Sequence, residues 1–153
     1  MPGDAIVCPA DVNRDGAMDI LAAGNDDNDV AFDRVIPSSF ELPNVLVVGA
    51  VDQAGEPTDF TSTGRNVVVY SNGFEVDSYV PGGARLKFSG TSMSAPNMTN
   101  LAAKLWALYP DLTVAQVKQL IVDGADDKQA GERTIKLMNP KRTLELAAAA
   151  AKK

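Results

Sequence analysis

Not one of the 153 residues is a histidine. Histidine is the commonest side chain for moving a proton near neutral pH, so any hydrolytic chemistry in this chain must confront the lack of its usual proton acceptor. Cysteine is almost as scarce: Cys8 stands alone and cannot close an internal disulfide, which removes oxidative stapling and leaves the compartment unread from thiols. No stretch reaches the roughly 20 apolar residues of a membrane helix, and the N-terminus has neither the basic start nor the apolar run of a signal peptide. Lys and Arg number 14 against 20 Asp and Glu, for a net charge of -6. A general nucleic-acid surface would present a concentrated basic face, so neither nucleic acid nor membrane is an expected partner.

What is present suits one soluble globular domain: 45% hydrophobic and 22% charged residues at a length typical of a single core. Met18 to Ala23 and the valine-rich Val45 to Val51 are apolar runs of strand length and predict buried strands. Between them Asn25 to Asn44 carries Asp26, Asp27, Asn28, Asp29 and Asp33 and closes with Pro37 and Pro43, the composition of a long surface loop whose acidity is solvation. Val67 to Tyr70 is another strand candidate, and Phe74 to Val80 with Arg85 to Phe88 flank the turn Pro81-Gly82-Gly83. Apolar residues at helical spacing predict a helix from about Ser92 to Tyr109, ending before Pro110. Thr113 and Gln116 fit a capping box opening a second helix that runs to Gly124, and Asn139-Pro140 opens a third. The alanine-rich tail Ala147 to Lys153 favours helix. Strands early and helices late predict an α/β fold with a parallel sheet flanked by helices.

Chemistry concentrates at Ser89-Gly90-Thr91-Ser92-Met93-Ser94-Ala95-Pro96, a small-residue turn between an extended segment and the long helix. Ser92 falls at that helix's N-terminus, where unpaired backbone N–H groups and the positive end of the dipole stabilise a developing oxyanion. Gly90 permits close backbone approach by a substrate, and Pro96 stands near enough to the helix start to cost little hydrogen bonding. On local physics alone Ser92 reads as a helix cap and Asn25 as a turn residue closing its strand.

Gly90-Thr91-Ser92-Met93-Ser94-Ala95-Pro96 resembles the signature around the catalytic serine of the subtilisin-like serine proteases, and Ala22-Ala23-Gly24-Asn25 resembles the family segment whose asparagine donates to the oxyanion. Pro43 to Val51 and Asp59 to Gly64 look like the strand and turn that follow, so the likeness runs from about Met18 to Asp123. The resemblance implies peptide-bond hydrolysis through an acyl-enzyme, with Ser92 as nucleophile and Asn25 as oxyanion donor. It also implies that Ala22, Ala23 and Gly24 wall the pocket for the residue before the cleaved bond, that Gly90 and Thr91 lie near its mouth, that no cofactor or metal is required, and that the native compartment is secreted or periplasmic. For Ala22, Ala23 and Gly24 the alternative is close strand packing.

The family's catalytic aspartate and histidine precede the asparagine, yet only 24 residues come before Asn25 here and none is histidine. The resemblance therefore implies the C-terminal half of a catalytic domain, residues 1–153 with a C-terminal helix over 139–153. Alone it is expected to be nearly inert, with exposed strand faces and a missing N-terminal half as partner. Lys87 and Lys104 have no spacing that suits a serine-lysine dyad. Asn97 stands where the family commonly has a structural histidine. Two other functions stay open: a non-catalytic peptide-binding domain on the same fold, and a calcium module over Asp11 to Asp19, whose twelfth position is Ala22 where a bidentate carboxylate is needed.

Overall fold

The computed structural model describes residues 17–151. Two parallel strands open it, β1 (Asp19–Ala22) and β2 (Val45–Val51), paired from Asp19 opposite Val45 to Ala22 opposite Val48. All seven residues of β2 are buried, because its alternate side chains enter different cores. Leu46 and Val48 join one cluster, while Val45, Val47 and Val51 join a second. On its far side β2 pairs in parallel with β3 (Val67–Asn72), with a register shift between Val47 and Val48. This bulge turns the consecutive residues Val68 and Val69 toward the same cluster, while Val67 and Tyr70 face the other.

The chain then leaves the sheet as an antiparallel hairpin, β4 (Val76–Tyr79) and β5 (Arg85–Phe88), and enters α1 (Thr91–Leu108). Helix α2 (Val114–Gly124) follows, opened by the anticipated capping box of Thr113 and Gln116. A second hairpin, β6 (Asp126–Ala130) and β7 (Arg133–Leu137), returns to the sheet before α3 (Pro140–Ala150), which Asn139 caps by accepting the Arg142 N–H. The sheet order is β1-β2-β3-β7-β6, with β6 antiparallel at one edge, so the sheet is mixed and mostly parallel.

All three helices contribute to the first cluster, through Met98, Leu101 and Leu105 of α1, Val117 and Ile121 of α2 and Ala147 of α3. Among the described residues the second cluster contains none from a helix; it is closed by Val30, Val35 and Leu42 of the segment between β1 and β2. That segment is therefore a structural cover as well as a loop. Asp29, read from sequence as a solvated acid, accepts the Ala31 and Phe32 N–H groups at 3.0 and 3.1 Å and so shapes the turn that drives Val30 into the core at 0% exposure. Exposed apolar side chains do occur: Phe32 and Ile36 on this loop, and Tyr79, Leu86 and Phe88 on the β4–β5 hairpin.

Gly49 in β2 faces Tyr70 in β3, and a Cβ on it would overlap the tyrosine ring. The ring occupies the space a side chain would need. Gly49→Ala should lower the unfolding free energy by about 2 kcal/mol, since the ring and its buried neighbours must shift. Urea denaturation measures it, and an unchanged midpoint would show that the ring moves freely.

Candidate active site

Helix α1 begins with an N-cap that has no side chain. Gly90 caps it at φ 156° without a side-chain hydrogen bond, so Ser92 is the second helical residue and does not act as the cap. The work falls to a residue far away in sequence: the Asn25 side-chain oxygen accepts the Thr91 N–H at 2.8 Å and the Thr91 hydroxyl at 3.0 Å. The same hydroxyl accepts the Gly24 N–H at 3.2 Å. Asn25 thus satisfies an orphan donor of the first helical turn across 66 positions of chain.

Those bonds orient the asparagine. An N–H donor requires an acceptor, so the side-chain oxygen faces Thr91 and the Nδ2 amide points elsewhere. The backbone around it is held on both sides by one segment, with Ser62 N–H donating to the Gly24 carbonyl at 3.0 Å and Asp27 N–H to the Phe60 carbonyl at 3.1 Å. Asn25 Nδ2 has no hydrogen-bond acceptor among the described residues, and Asn25 is exposed. At the helix start, Thr91 N–H is used by Asn25 and Met93 N–H by the Gly90 carbonyl at 2.9 Å, which leaves the Ser92 N–H unused among the described residues. The Ser92 side chain is exposed and makes no hydrogen bond among them. An unbonded hydroxyl and two unused N–H donors, one from a helix mouth and one from a side-chain amide, thus lie on segments that the Asn25–Thr91 bond ties together, the group types that bind an oxyanion in acyl transfer. They lie at the carboxyl ends of parallel strands, where open α/β sheets place ligands.

Pro96 is the sixth residue of α1, inside the helix. A proline cannot donate to the carbonyl four residues back, which here is that of Ser92. The remaining residues expected at the site divide by burial. Ala22 and Gly24 are half-buried, whereas Ala23 is fully buried in the second cluster and packs inward. Gly90 and Thr91 are buried; Gly90 passes close to the Asn25 amide, where an added Cβ would sit 3.4 Å from Nδ2.

None of Lys87, Lys104 and Lys118 is placed to serve Ser92 as a base. The Lys87 ammonium is engaged by Glu75 at 3.2 Å on the exposed hairpin. Lys104 stands twelve residues along α1 from Ser92, about 18 Å of helical rise. Burial depresses the pKa of Lys118, but its ammonium donates to the Leu42 carbonyl at 3.1 Å, at the opposite end of β2 from the site. No cluster of three or more candidate metal ligands occurs among the described residues. Asp11 to Gly16 of the possible calcium loop lie outside the described residues, and Asp19 begins β1, where its carboxylate accepts from the Asn44 amide at 3.3 Å. No described helix is long and apolar enough to cross a membrane.

Sequence singled out Ser92 and Asn25 as candidates but not the contacts that hold them. Thr91 appeared only as a pocket residue, and the contact that makes it an anchor spans 66 positions.

Comparison with known proteins covers most of this chain. The subtilase family model (Peptidase S8) matches residues 8–138. Subtilisin of Bacillus pumilus is 33% identical over 104 residues, 67% of this chain and 37% of that protein. The Subtilisin-like serine protease Pen ch 13 of Penicillium rubens is 32% identical over 133 residues, 85% of this chain and 32% of that protein. The crystal structure of a cold adapted subtilisin-like serine proteinase superposes with a TM-score of 0.72 at 26% identity, over 80% of this chain and 44% of that one. The chain spans about a third of the length of the two sequence relatives.

Proposed function

Since the chain belongs to the subtilase family, we propose that it carries the nucleophile and the oxyanion site of a serine endopeptidase acting through an acyl-enzyme. What supports this is the unbonded Ser92 hydroxyl, next in sequence to the Thr91 that Asn25 binds, together with two unspent donors, Ser92 N–H and Asn25 Nδ2. Ser92 Oγ attacks the scissile carbonyl carbon as its proton passes to a base. The carbonyl oxygen becomes an oxyanion held by the two N–H groups. The base returns the proton to the departing amine, the C–N bond breaks, and water then hydrolyses the ester on Ser92 by the same steps. Peptide or protein is the substrate, and Ala22, Gly24 and the Gly90 backbone form the edge against which it lies.

The base is proposed to come from a second part of the catalytic domain bearing a histidine and an aspartate, since no histidine exists in this chain. Expressed together with such a segment from a subtilase and shown to co-elute with it, the chain should release chromophore from a peptide p-nitroanilide, while the chain alone stays at background. A co-eluting complex that binds peptide without turnover would instead identify a non-catalytic peptide-binding domain.

A further inference from the structure

The first turn of α1 holds two serines with opposite surroundings. Ser92 is exposed and unbonded, whereas Ser94 has 0% exposure. The Ser94 hydroxyl lies 2.6 Å from the Gly49 carbonyl, 3.1 Å from the Ser71 carbonyl and 2.8 Å from the Ser71 hydroxyl. The Ser71 hydroxyl is also 2.9 Å from the Ser94 carbonyl. Two protons serve these contacts: Ser94 donates to Gly49, its shortest partner, and Ser71 donates to Ser94.

A serine or threonine that needs only to satisfy its own hydroxyl inside a helix bonds the carbonyl four residues back. Thr99 does so with Ala95 at 3.0 Å, and Thr143 does so with Asn139 at 2.9 Å. Ser94 leaves its helix for the sheet, reaching β2 through Gly49 and β3 through Ser71. One turn on, the Asn97 amide repeats the attachment by donating to the Asn72 carbonyl at 2.9 Å. On the other side of Ser92, Thr91 is bound to the exit of β1 through Gly24 and Asn25. Ser92 therefore sits between two buried anchors that together engage three adjacent strand ends.

We infer that Ser94, with Ser71, is a positioning residue that fixes the first turn of α1, and with it Ser92, against the Asn25 amide. Its catalytic meaning rests on the reading of Ser92 and Asn25 as nucleophile and oxyanion donor. Donors and nucleophile have to be held within about 0.5 Å of the productive geometry, and a turn released from β2 and β3 would move the Thr91 N–H away from the Asn25 oxygen.

The test reads the Asn25 side-chain amide by 15N NMR in the unliganded chain, its signal assigned by its loss in Asn25→Ala. Ser94→Ala should shift that signal toward its denatured position. Ser71→Ala keeps the bond to Gly49 and should shift the signal the same way by less. Ile121→Val, which trims one methyl from the core under α2, should leave it in place. An unmoved signal in folded Ser94→Ala, or an equal shift in Ile121→Val, overturns the inference; if Ser94→Ala does not fold, the presence or absence of the shift in Ser71→Ala decides. Capture of a peptide boronic acid by wild type but not by Ser92→Ala tests the nucleophile reading separately, so either idea can fail without the other.

Discussion

Ser92→Ala should lower peptide hydrolysis by the completed enzyme about a millionfold in kcat, a figure that is subtilisin's own for removal of its nucleophile. The same change should leave stability unaltered or slightly raised. Ser92 is exposed, bonded to nothing described, and second in its helix, with the cap provided by Gly90 and Asn25. Alanine is the better helix former by about 0.5 kcal/mol, so nothing in the fold depends on the hydroxyl. Activity and unfolding temperature measured on one preparation make the contrast. Hydrolysis that survives the substitution removes Ser92 from the mechanism.

Substitutions of Asn25 should separate two duties of one side chain. Its oxygen holds the start of α1, while its Nδ2 amide is the group proposed to bind the oxyanion. Asn25→Ala removes both: kcat should fall about a hundred- to a thousandfold with KM little changed, the range found for this donor in subtilisin itself, and stability should fall by about 1 kcal/mol with the lost cap. Asn25→Asp keeps an acceptor for the Thr91 N–H and adds a negative charge at a helix N-terminus, where it is favourable. Its stability should therefore match wild type. Its activity should be at least as low as that of the alanine variant, because a carboxylate cannot donate and repels the developing oxyanion. Wild-type kcat in a folded Asn25→Asp enzyme would remove the amide from the oxyanion site.

How far the fold was legible follows from where each residue spends its apolar surface. Strand β2 could be read because both of its faces are buried, which leaves an uninterrupted run of seven. The helices could be read from their spacing and from the Thr113–Gln116 and Asn139–Pro140 starts. The β6–β7 hairpin left no such trace: of its ten residues only Ile135 is buried, and Asp126, Asp127, Lys128 and Gln129 resemble any polar linker. Gly131, at φ 60° in the turn, was the one local hint. The closure of the second sheet face was hidden for a related reason, since Val30 opens a short apolar run between acids in which Phe32 is exposed, and its burial depends on the turn that Asp29 organises.

Within the site, sequence supplied the hydroxyl and the amide but not their juxtaposition. Asn25 and Thr91 meet across 66 residues, and no local rule of propensity or spacing joins them. Only the likeness of both segments to one family placed them together before coordinates did. Ser94 went unnoticed because a buried serine one turn into a helix looks the same in sequence as an idle one.

Asn25 doubles as a fastening for α1, and this divides the site into parts with different evolutionary fates. In a descendant that had given up hydrolysis, losing the acceptor at position 25 would still cost about 1 kcal/mol, so asparagine or aspartate there would outlast the activity. Ser92 has no such shelter and would be among the first positions to change. Across a set of homologues, the serine and not the asparagine is therefore the marker of which lineages still cut peptides.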